Sequence, residues 1–241
     1  DGFLNVISIF SFIGISLGVA VLIIVMSVMN GFRSELINKI VGFNAHITIK
    51  TYDSPIDQKK LNSKNLSLIA KNIFFSNSGE AIILKNDTSK GIRLRGYKNS
   101  NFSDLEIIKN DKFSGNKSLI KNFVSIGNEL SFELDLQIGD EITLMSPSGV
   151  ETIIGNLPKQ KSFIVTSIFN SGLAEFDNNI AFINLNTLEE FFGYDVNDRN
   201  LEIYLKKPND IESQKLIVQQ IFNEEFVFSW ADMNSSLFSA L

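Results

Sequence analysis

The hydrophobic pattern begins with an apolar run that has no charged side chain between Asp1 and Arg33. Residues 6–29 read VISIFSFIGISLGVAVLIIVMSVM, in which Val, Ile, Leu and Phe predominate. About 20 such residues, each rising ~1.5 Å in a helix, cross the ~30 Å hydrocarbon layer of a bilayer. The pattern therefore predicts a membrane-spanning helix to which the rest of the chain is tethered.

Two other structures also produce an apolar run near an N-terminus. A buried helix of a soluble core is one, and a cleaved signal peptide is the other, since Gly18-Val19-Ala20 has the small-x-small spacing of a cleavage site. Cleavage there would leave VLIIVMSVM on the mature end, and this run exceeds the roughly 7 to 15 residues of a signal-peptide core. We therefore prefer the membrane span. Because the chain starts at Asp1 and ends at Leu241 in mid-pattern, we expect it to be a fragment.

Small residues recur inside the predicted span at a spacing of four. Gly14 and Gly18 form a GxxxG, and Ser16 and Ala20 repeat the same spacing. Residues four apart lie on one helical face, where small side chains let a second helix approach closely. We predict that these four residues pack against a partner helix. Chance is the alternative, because Gly and Ser are common in membrane helices.

The pattern changes after the span, at residues 32–43, which read FRSELINKIVGF. Apolar residues at near-helical spacing alternate there with charged ones; the apolar set is Phe32, Leu36, Ile40 and Phe43. This is typical of an amphipathic helix. We expect a stalk that continues the helix out of the membrane.

From Ala45 onward the pattern is that of a soluble α+β domain. Strands are predicted over residues 46–49 and 80–84, with a helix-like segment from Pro55 to Asn72 between them. The same order recurs near the other end, with strands over residues 201–205 and 226–230 and a helix start at Pro208-Asn209-Asp210. Two separated βαβ units predict one split ferredoxin-like layer, interrupted by an insertion at about residues 101–193.

The predicted insertion is richer in β-structure. Strands are expected over residues 141–145, 150–154 and 163–169, with turns at Pro147-Ser148-Gly149 and Asn156-Leu157-Pro158, after a short helix over residues 127–134. The segment from Pro147 to Pro158 either protrudes and offers apolar and backbone contacts to a partner, or forms an ordinary hairpin that packs on its own core. Composition alone leaves both interpretations open.

Composition excludes several function classes. The net charge of −5 and the lack of a basic patch argue against nucleic acid. With no Cys, a disulfide framework and a thiolate metal site are excluded, and the single His46, at the start of a strand, is expected to be structural. No phosphate loop of the Walker type occurs, so ATP would have to be bound elsewhere. We interpret three carboxylate pairs as solvated charges and expect no catalytic residue, metal or cofactor; the pairs are Glu129/Glu133, Glu175/Asp177 and Asp53/Asp57.

Several segments, in this order, resemble the LolC/LolE family, the membrane subunits of lipoprotein-releasing ABC transporters. They are SIFSFIGISLGVAVLIIVMSVMNGFRSELINKIVGFNAHI, IGNELSFELDLQIGDEITLMSPSG, GNLP, SFIVTSIFNSGLAEFD and SWADMNSSLFSAL. The VMNGF after the span, together with the series of Gly-Asp, strand, proline and acidic residues, is more specific than any single piece. The resemblance covers nearly the whole chain.

The resemblance implies an α+β periplasmic domain of the MacB-like type behind one N-terminal transmembrane helix. Residues 1–42 would be the transmembrane helix and stalk, and residues 43–100 and 194–230 a porter-like, split ferredoxin-like part. Residues 101–193 would form a β-rich, sabre-like insertion, and residues 231–241 would begin the linker to the next transmembrane helix. The split βαβ pattern derived from the residues agrees with this division.

The resemblance also implies a binding site for a partner protein. The segment from Pro147 to Pro158 matches the loop that, in the LolC branch, hooks the soluble lipoprotein carrier LolA, and Gln160 falls on the adjoining surface. The carrier-binding residues implied are Pro147, Ser148, Gly149, Val150, Ile153, Ile154, Gly155, Leu157, Pro158 and Gln160. A basic residue sometimes found in the strand before the hook is Thr143 here, a departure that counts against carrier binding by this chain.

The function implied is mechanical. A separate LolD-like ATPase subunit would hydrolyse ATP, and this chain and a second LolC/LolE-like membrane subunit would pass lipoproteins to a LolA-like carrier. The span would lie in the lipid of the inner membrane, with the large domain in the periplasm and no nucleic-acid partner. The alternatives are a MacB- or FtsX-like mechanotransmitting permease and a single-span sensor with an extracytoplasmic ligand-binding domain.

Overall fold

The first element is one continuous helix. In the computed structural model, which describes residues 2–51, 55–85, 88–152 and 155–235, helix α1 (Gly2–Phe43) is unbroken. Among the described residues it is the one helix that is long and apolar enough, by length and composition, to cross a membrane. Its side chains, such as Phe10 and Leu22, are exposed within this unit, so lipid or another helix must cover them. The predicted stalk is therefore the continuation of the span.

Residues from Val41 onward belong to a second compact unit. Short 3₁₀ turns at Val196–Asp198 and Pro208–Asp210 flank strand β9. In chain order the elements are β1 (Ile47–Lys50), α2 (Gln58–Leu61), α3 (Lys64–Ile69), β2 (Ala70–Lys85), β3 (Thr88–Tyr97), α4 (Asn99–Phe102), α5 (Glu106–Lys109), β4 (Ser114–Gly115), β5 (Phe123–Gly127), α6 (Asn128–Glu133), β6 (Glu141–Thr152), β7 (Gly155–Phe169), α7 (Ala174–Asn179), β8 (Ile180–Asn184), α8 (Leu185–Phe192), β9 (Asn200–Leu205), α9 (Ile211–Ile221), β10 (Phe226–Ser229) and α10 (Trp230–Met233).

Strands from the two ends of this unit form one layer, in the order β10-β1-β9-β2. Strands β1 and β2 are both antiparallel to β9, and β9 and β10 are both antiparallel to β1. Each βαβ unit therefore places its two parallel strands on either side of a strand from the other unit. This interleaving confirms the predicted split ferredoxin-like layer.

Alternation along the strands explains how the helices cover this layer. In β1, Ile47 and Ile49 are fully buried, and in β9 the same holds for Leu201 and Ile203. Successive strand residues point to opposite faces, so these four lie on one face. They form a single core with apolar residues of the covering helices, which include Leu66 of α3 and Val218 of α9.

The second half of the sheet closes into a barrel. Beyond its pairing with β9, strand β2 pairs with β3, and the order continues through β8, β5 and β7. Strand β6 pairs with both β7 and the far end of β2, at residues 82–84, which closes a ring of six strands. The inward positions are apolar on every strand and form one core; they include Ile83, Leu94, Val124, Leu144, Val165 and Ile183.

The barrel takes strands from both sides of the predicted domain division. Strands β2 and β3 lie within residues 43–100, whereas the other four barrel strands lie within residues 101–193. The sheet is therefore continuous where the porter-like and sabre-like parts were expected to meet. The division into these two parts stays a prediction.

Two predicted elements have different bounds in the structure. The helix expected from Pro55 to Asn72 is instead two short helices, α2 and α3, followed by β2 from Ala70. The helix restarts because the Asp57 side chain accepts a hydrogen bond from the Lys59 amide at the start of α2, and Ser63 takes the extended N-cap conformation before α3. The strand expected over residues 226–230 ends at Ser229, whose side chain caps α10.

Candidate functional site

The predicted hook lies in a two-stranded ribbon formed by β6 and β7. Ser146 pairs with Lys159, and the pairing continues outward to Thr152 and Gly155. The contact of β6 with β2 ends at Met145, and β7 meets β5 only from residue 164 onward. Within the described residues, no third strand pairs with the ribbon beyond Ser146 and Lys159. Both of its edges therefore present backbone groups that no strand of this sheet uses.

The two prolines mark a bulge in the ribbon rather than turns between strands. Between the pairs Ser146–Lys159 and Val150–Leu157 the register shifts, with three residues of β6 opposite the single Pro158. Turns expected at residues 147–149 and 156–158 are thus wrong, and both segments lie inside long strands. Proline has no amide hydrogen to donate, so it is tolerated at bulges and free edges.

The structure describes side-chain exposure for only some of the hook residues. Pro147 and Pro158 are exposed, as is Gln160, whose side-chain amide lies 3.6 Å from the sulfur of Met145. Ile153 and Ile154 lie outside the described residues. The backbone of the remaining hook residues runs in the two strands; these are Ser148, Gly149, Val150, Gly155 and Leu157. Whether the apolar side chains of the hook face a partner stays a prediction.

The base of the ribbon is held against helix α8. The Lys159 ammonium donates to the backbone carbonyl of Glu190, and the Lys161 ammonium lies 3.7 Å from the Glu190 carboxylate. On the other side, Pro147 lines a cavity of about 500 Å³ whose walls include Ile82 and Phe176. The ribbon therefore leaves the barrel from a packed base.

The four predicted helix-packing residues lie on α1 and have open surroundings. A Cβ atom added to Gly14 or Gly18 would meet no atom within 4 Å, and Ser16 and Ala20 are exposed. In the described chain, α1 thus has small residues on two faces, Gly14/Gly18 and Ser16/Ala20, with no helix against either. Packing of these residues on a partner helix stays a prediction.

Sequence reasoning missed a buried polar cluster around Arg95 and Glu202. The Arg95 guanidinium lies 3.3 Å from the Glu202 carboxylate and also donates to the side-chain oxygen of Asn44 at 3.2 Å and to the hydroxyl of Tyr97. Glu202 accepts further hydrogen bonds from the hydroxyls of Tyr97 at 2.7 Å, Tyr204 at 3.1 Å and Ser76 at 2.7 Å. Both oxygens of Glu202 and both terminal nitrogens of Arg95 thus have partners, which burial requires.

The protonation states follow from this geometry. Burial opposes the positive charge of Arg95, but its neighbours Tyr97, Glu202 and Tyr204 outweigh that effect, so the pKa of Arg95 lies above its ordinary value. Burial, opposed by the charge of Arg95, raises the pKa of Tyr97. Burial likewise raises the pKa of Tyr204 well above the ordinary value. Both phenols therefore stay neutral and serve as donors to the Glu202 carboxylate.

His46 has the structural role that the sequence predicts. It is buried between strands β1 and β9, and its Nδ1 accepts a hydrogen bond of 2.7 Å from the Leu205 amide. Burial lowers its pKa to about 4, although a hydrogen bond with the Val41 backbone acts in the opposite direction. Neutral His46 therefore acts as a fixed acceptor inside the layer.

The prediction that the carboxylate pairs are solvated is wrong for one residue, Asp177. Glu133 is exposed and pairs with Lys90, and Asp57 caps α2, in line with ordinary surface roles. Asp177, expected to be solvated, is instead 2% exposed and accepts a 2.8 Å hydrogen bond from the Ser171 amide, and its burial raises its pKa. Across the described part of the chain, no three His, Cys, Asp or Glu side chains come together as a metal site.

A comparison with protein-family models matches residues 8–221 to the model of the MacB-like periplasmic core domain. The match covers most of the chain, including α1 beyond Ile7 and every strand except β10. The chain belongs to the MacB-like periplasmic core domain family.

Within this family, the chain is similar to LolC proteins over its whole length. It is 27% identical to the lipoprotein-releasing system transmembrane protein LolC of Neisseria meningitidis, over 100% of this chain and 60% of that protein. It is 29% identical to LolC of Buchnera aphidicola subsp. Schizaphis graminum, over 99% of this chain and 60% of that protein. Over 56% of this chain it is 30% identical to LolE of Haemophilus influenzae. The resemblance to the LolC/LolE family is confirmed, and the chain spans 60% of the length of the first two relatives.

The chain also matches solved structures at low sequence identity. The periplasmic region of MacB from Actinobacillus actinomycetemcomitans matches with a TM-score of 0.46 at 10% identity, over 82% of this chain and 95% of that one. The LolC relatives are named transmembrane proteins, and α1 is a candidate membrane span. This chain is therefore a membrane protein.

Proposed function

We propose that this chain is the membrane subunit of an ABC transporter that releases lipoproteins from the inner membrane and transfers them to a periplasmic carrier. The observation that carries the proposal is similarity along the whole chain to transmembrane proteins of lipoprotein-releasing systems. The family's periplasmic core domain and the N-terminal apolar helix are what such a subunit requires.

In this proposal the chain performs no chemical step itself. A separate LolD-like subunit hydrolyses ATP, and a second LolC/LolE-like membrane subunit completes the transporter. The large domain lies in the periplasm, and α1 lies in the inner membrane. A helix that continues without a break from Gly2 to Phe43 supports a mechanical role, because a hydrogen-bonded rod transmits displacement along its axis better than a flexible linker would.

The ribbon of β6 and β7 is the proposed contact for a LolA-like carrier. Free strand edges accept an additional strand from a partner, whose backbone groups supply affinity. The ribbon offers such edges beyond Ser146 and Lys159, and its base is fixed to α8 through Lys159 and Lys161. A fixed base favours binding because little order has to be gained when the partner docks.

Replacement of the hook by a short turn tests this contact. Ser146 and Lys159 are directly paired, so Asn-Gly inserted between them in place of residues 147–158 gives a two-residue hairpin compatible with the strand twist. A photo-crosslinking residue at Gln160 reports the carrier, and one at Phe132, 74% exposed on α6, is the matched control site. The experiment uses the full-length subunit assembled with its ATPase and second membrane subunit.

We expect carrier crosslinks from Gln160 in the wild type, few from Phe132, and loss of the Gln160 crosslinks in the shortened variant. Thermal unfolding of the variant should match that of the wild type, since the barrel core is untouched. Undiminished crosslinking in the shortened variant would show that residues 147–158 are not the carrier contact. Failure of the intact transporter to release any lipoprotein in proteoliposomes would refute the proposed function itself and favour a permease for other substrates.

A further inference from the structure

The face of the ferredoxin-like layer that lies away from helices α3 and α9 carries a polar patch beside the buried aromatic residues Phe74 and Tyr204. Ile47 and Ile49 of β1 belong to the core beneath the helices, so Thr48 and Lys50 lie on the opposite face. The same alternation places Asn200 and Glu202 of β9 on that face. These four residues all line one cavity, so their polar groups face a shared space.

A cavity of about 240 Å³ lies on this polar face. Its lining includes Thr48, Lys50, Ser78, Arg93, Arg95 and Asn200, with Asn44 and Asn234 also contributing. Clefts that hold a whole small molecule are typically about 300–1,000 Å³. The cavity therefore matches one functional group of a ligand rather than a complete drug-sized molecule.

The charges around the cavity favour an anion. Three cationic side chains line it, those of Lys50, Arg93 and Arg95, and Glu202 is the one acidic residue among its described lining residues. Glu202 and Arg95 balance each other's charge, so the net positive charge of the lining comes from Lys50 and Arg93. Arg93 pairs with Glu80 at 2.9 Å, but this pair is 59% and 74% exposed, so solvent weakens it. The concave surface is thus positive on a chain whose net charge is −5.

Arg95 gives the cavity a rigid part. Its side chain is only 11% exposed, and its guanidinium lies 5.5 Å from the ring centroid of Phe43 and 5.8 Å from that of Phe182. Three hydrogen bonds to Asn44, Tyr97 and Glu202 fix its orientation. A guanidinium held in this way is oriented before a ligand arrives, which lowers the entropy cost of binding.

We propose that this cavity is a binding site for an oxyanion, either a carboxylate or a phosphate group. Lys50 and Arg93 supply the net positive charge of its lining, and Arg95 supplies a fixed guanidinium whose charge Glu202 balances. The hydroxyls of Thr48 and Ser78 and the amide of Asn200 are neutral donors of the kind that complete such sites. The site does not depend on the hook, because none of its lining residues belongs to the ribbon.

Titration of the full chain in a nonionic detergent tests the site. Inorganic phosphate and N-acetyl-L-aspartate serve as separate probes, each added at constant ionic strength set with sodium chloride. The fluorescence of Trp230 reports binding, because it is the single tryptophan and begins α10, which ends at the lining residue Met233. Lys50→Gln and Arg93→Gln each remove one charge while leaving Arg95 and Glu202 in place. Lys112→Gln, at an exposed position outside the cavity, is the matched control.

We expect saturable binding of at least one probe, weakened about tenfold by Lys50→Gln and by Arg93→Gln and unchanged by Lys112→Gln, as loss of a charge-assisted hydrogen bond predicts. Binding of phosphate alone, or of the carboxylate alone, identifies the source of the oxyanion. Thr48→Val supplies a neutral test of the same site and should weaken binding without changing the charge. Absence of saturable binding, or equal weakening by the Lys112 control, would overturn the proposal.

Discussion

The guanidinium of Arg95 lies 3.3 Å from the carboxylate of Glu202, and both side chains are about one-tenth exposed, at 11% and 9%. The two residues are on strands that do not pair with each other, β3 and β9, with β2 between them. The pair therefore ties the barrel side of the sheet to the ferredoxin-like layer.

Removal of the Glu202 carboxylate should strongly destabilise the domain. Glu202→Ala leaves the Arg95 charge buried without its partner, which typically costs about 3–5 kcal/mol. Glu202→Gln should cost less, because its one amide oxygen can still accept from the hydroxyls of Tyr97 and Tyr204, which share one carboxylate oxygen in the wild type. Denaturant unfolding of the full chain in detergent, followed by the fluorescence of Trp230, measures both free energies of unfolding.

Glu80→Ala is the matched control for this experiment. Glu80 also pairs with an arginine, Arg93 at 2.9 Å, but that pair is exposed. Exposed pairs contribute about 0–1 kcal/mol, so this variant should unfold close to the wild type. If Glu80→Ala and Glu202→Ala lowered the free energy of unfolding by similar amounts, burial of the Arg95–Glu202 pair would add nothing to its contribution to stability.

A side chain at Gly127 should not be accommodated. A Cβ atom there would lie 2.0 Å from the backbone oxygen of Asp177, at the contact of strand β5 with helix α7. Because a backbone atom has to move, we expect Gly127→Ala to cost about 1–3 kcal/mol in the same unfolding measurement. Gly91→Ala is the control, since a Cβ at that exposed position on the barrel meets nothing within 4 Å. It should leave stability unchanged or slightly raised.

The strands of the ferredoxin-like layer could be predicted because their signal is local. In residues 46–49 and 201–205 apolar and polar residues alternate, and one face of each strand is buried under helices. The sequence indicates β-structure around the hook but not the path of its backbone, since Pro147 and Pro158 are compatible with either a turn or a bulge. Which of the two forms depends on whether the flanking strands stay paired.

The proposed oxyanion site and its charge pair could not be predicted from the sequence. Arg95 and Glu202 are 107 residues apart, and each lies in a strand whose pattern is explained by alternation alone. Their meeting depends on β2 being long enough to pair with β9 at one end and β3 at the other. The strand predicted over residues 80–84 was only the last part of β2 (Ala70–Lys85), so this connection was hidden.

Larger side chains on the small-residue face of α1 should impair assembly of the transporter proposed here. Gly14→Leu together with Gly18→Leu fills the surface on which a partner helix would pack, and helix contacts of this kind contribute about 1–2 kcal/mol. We expect roughly fivefold to tenfold less co-purification of the second membrane subunit. Leu17→Ile together with Ile24→Leu, at exposed positions between the Gly14/Gly18 and Ser16/Ala20 faces, is the control. Equal assembly of both double variants would exclude this face as the contact.

His46 should make the domain less stable as the solution becomes acidic. Its pKa is lowered by burial to about 4 in the folded protein, whereas a solvated histidine titrates near 6.5. The unfolded chain therefore takes up a proton first. The stability that comes from neutral His46 is complete above pH 6.5, falls as the pH drops from 6.5 to 4, and is lost below that.

The size of this effect can be isolated by comparing the wild type with His46→Gln. A lowering of about 2.5 pKa units corresponds to roughly 3 kcal/mol of stability lost between pH 6.5 and 4. His46→Gln costs stability at neutral pH if its amide does not replace the 2.7 Å acceptor for the Leu205 amide, but its free energy of unfolding should change much less across that pH range. Carboxylates such as Asp177 titrate in both proteins, so the difference between the two curves belongs to His46. Parallel curves from pH 7 to pH 4 would mean that the imidazole is protonated in the folded layer without penalty.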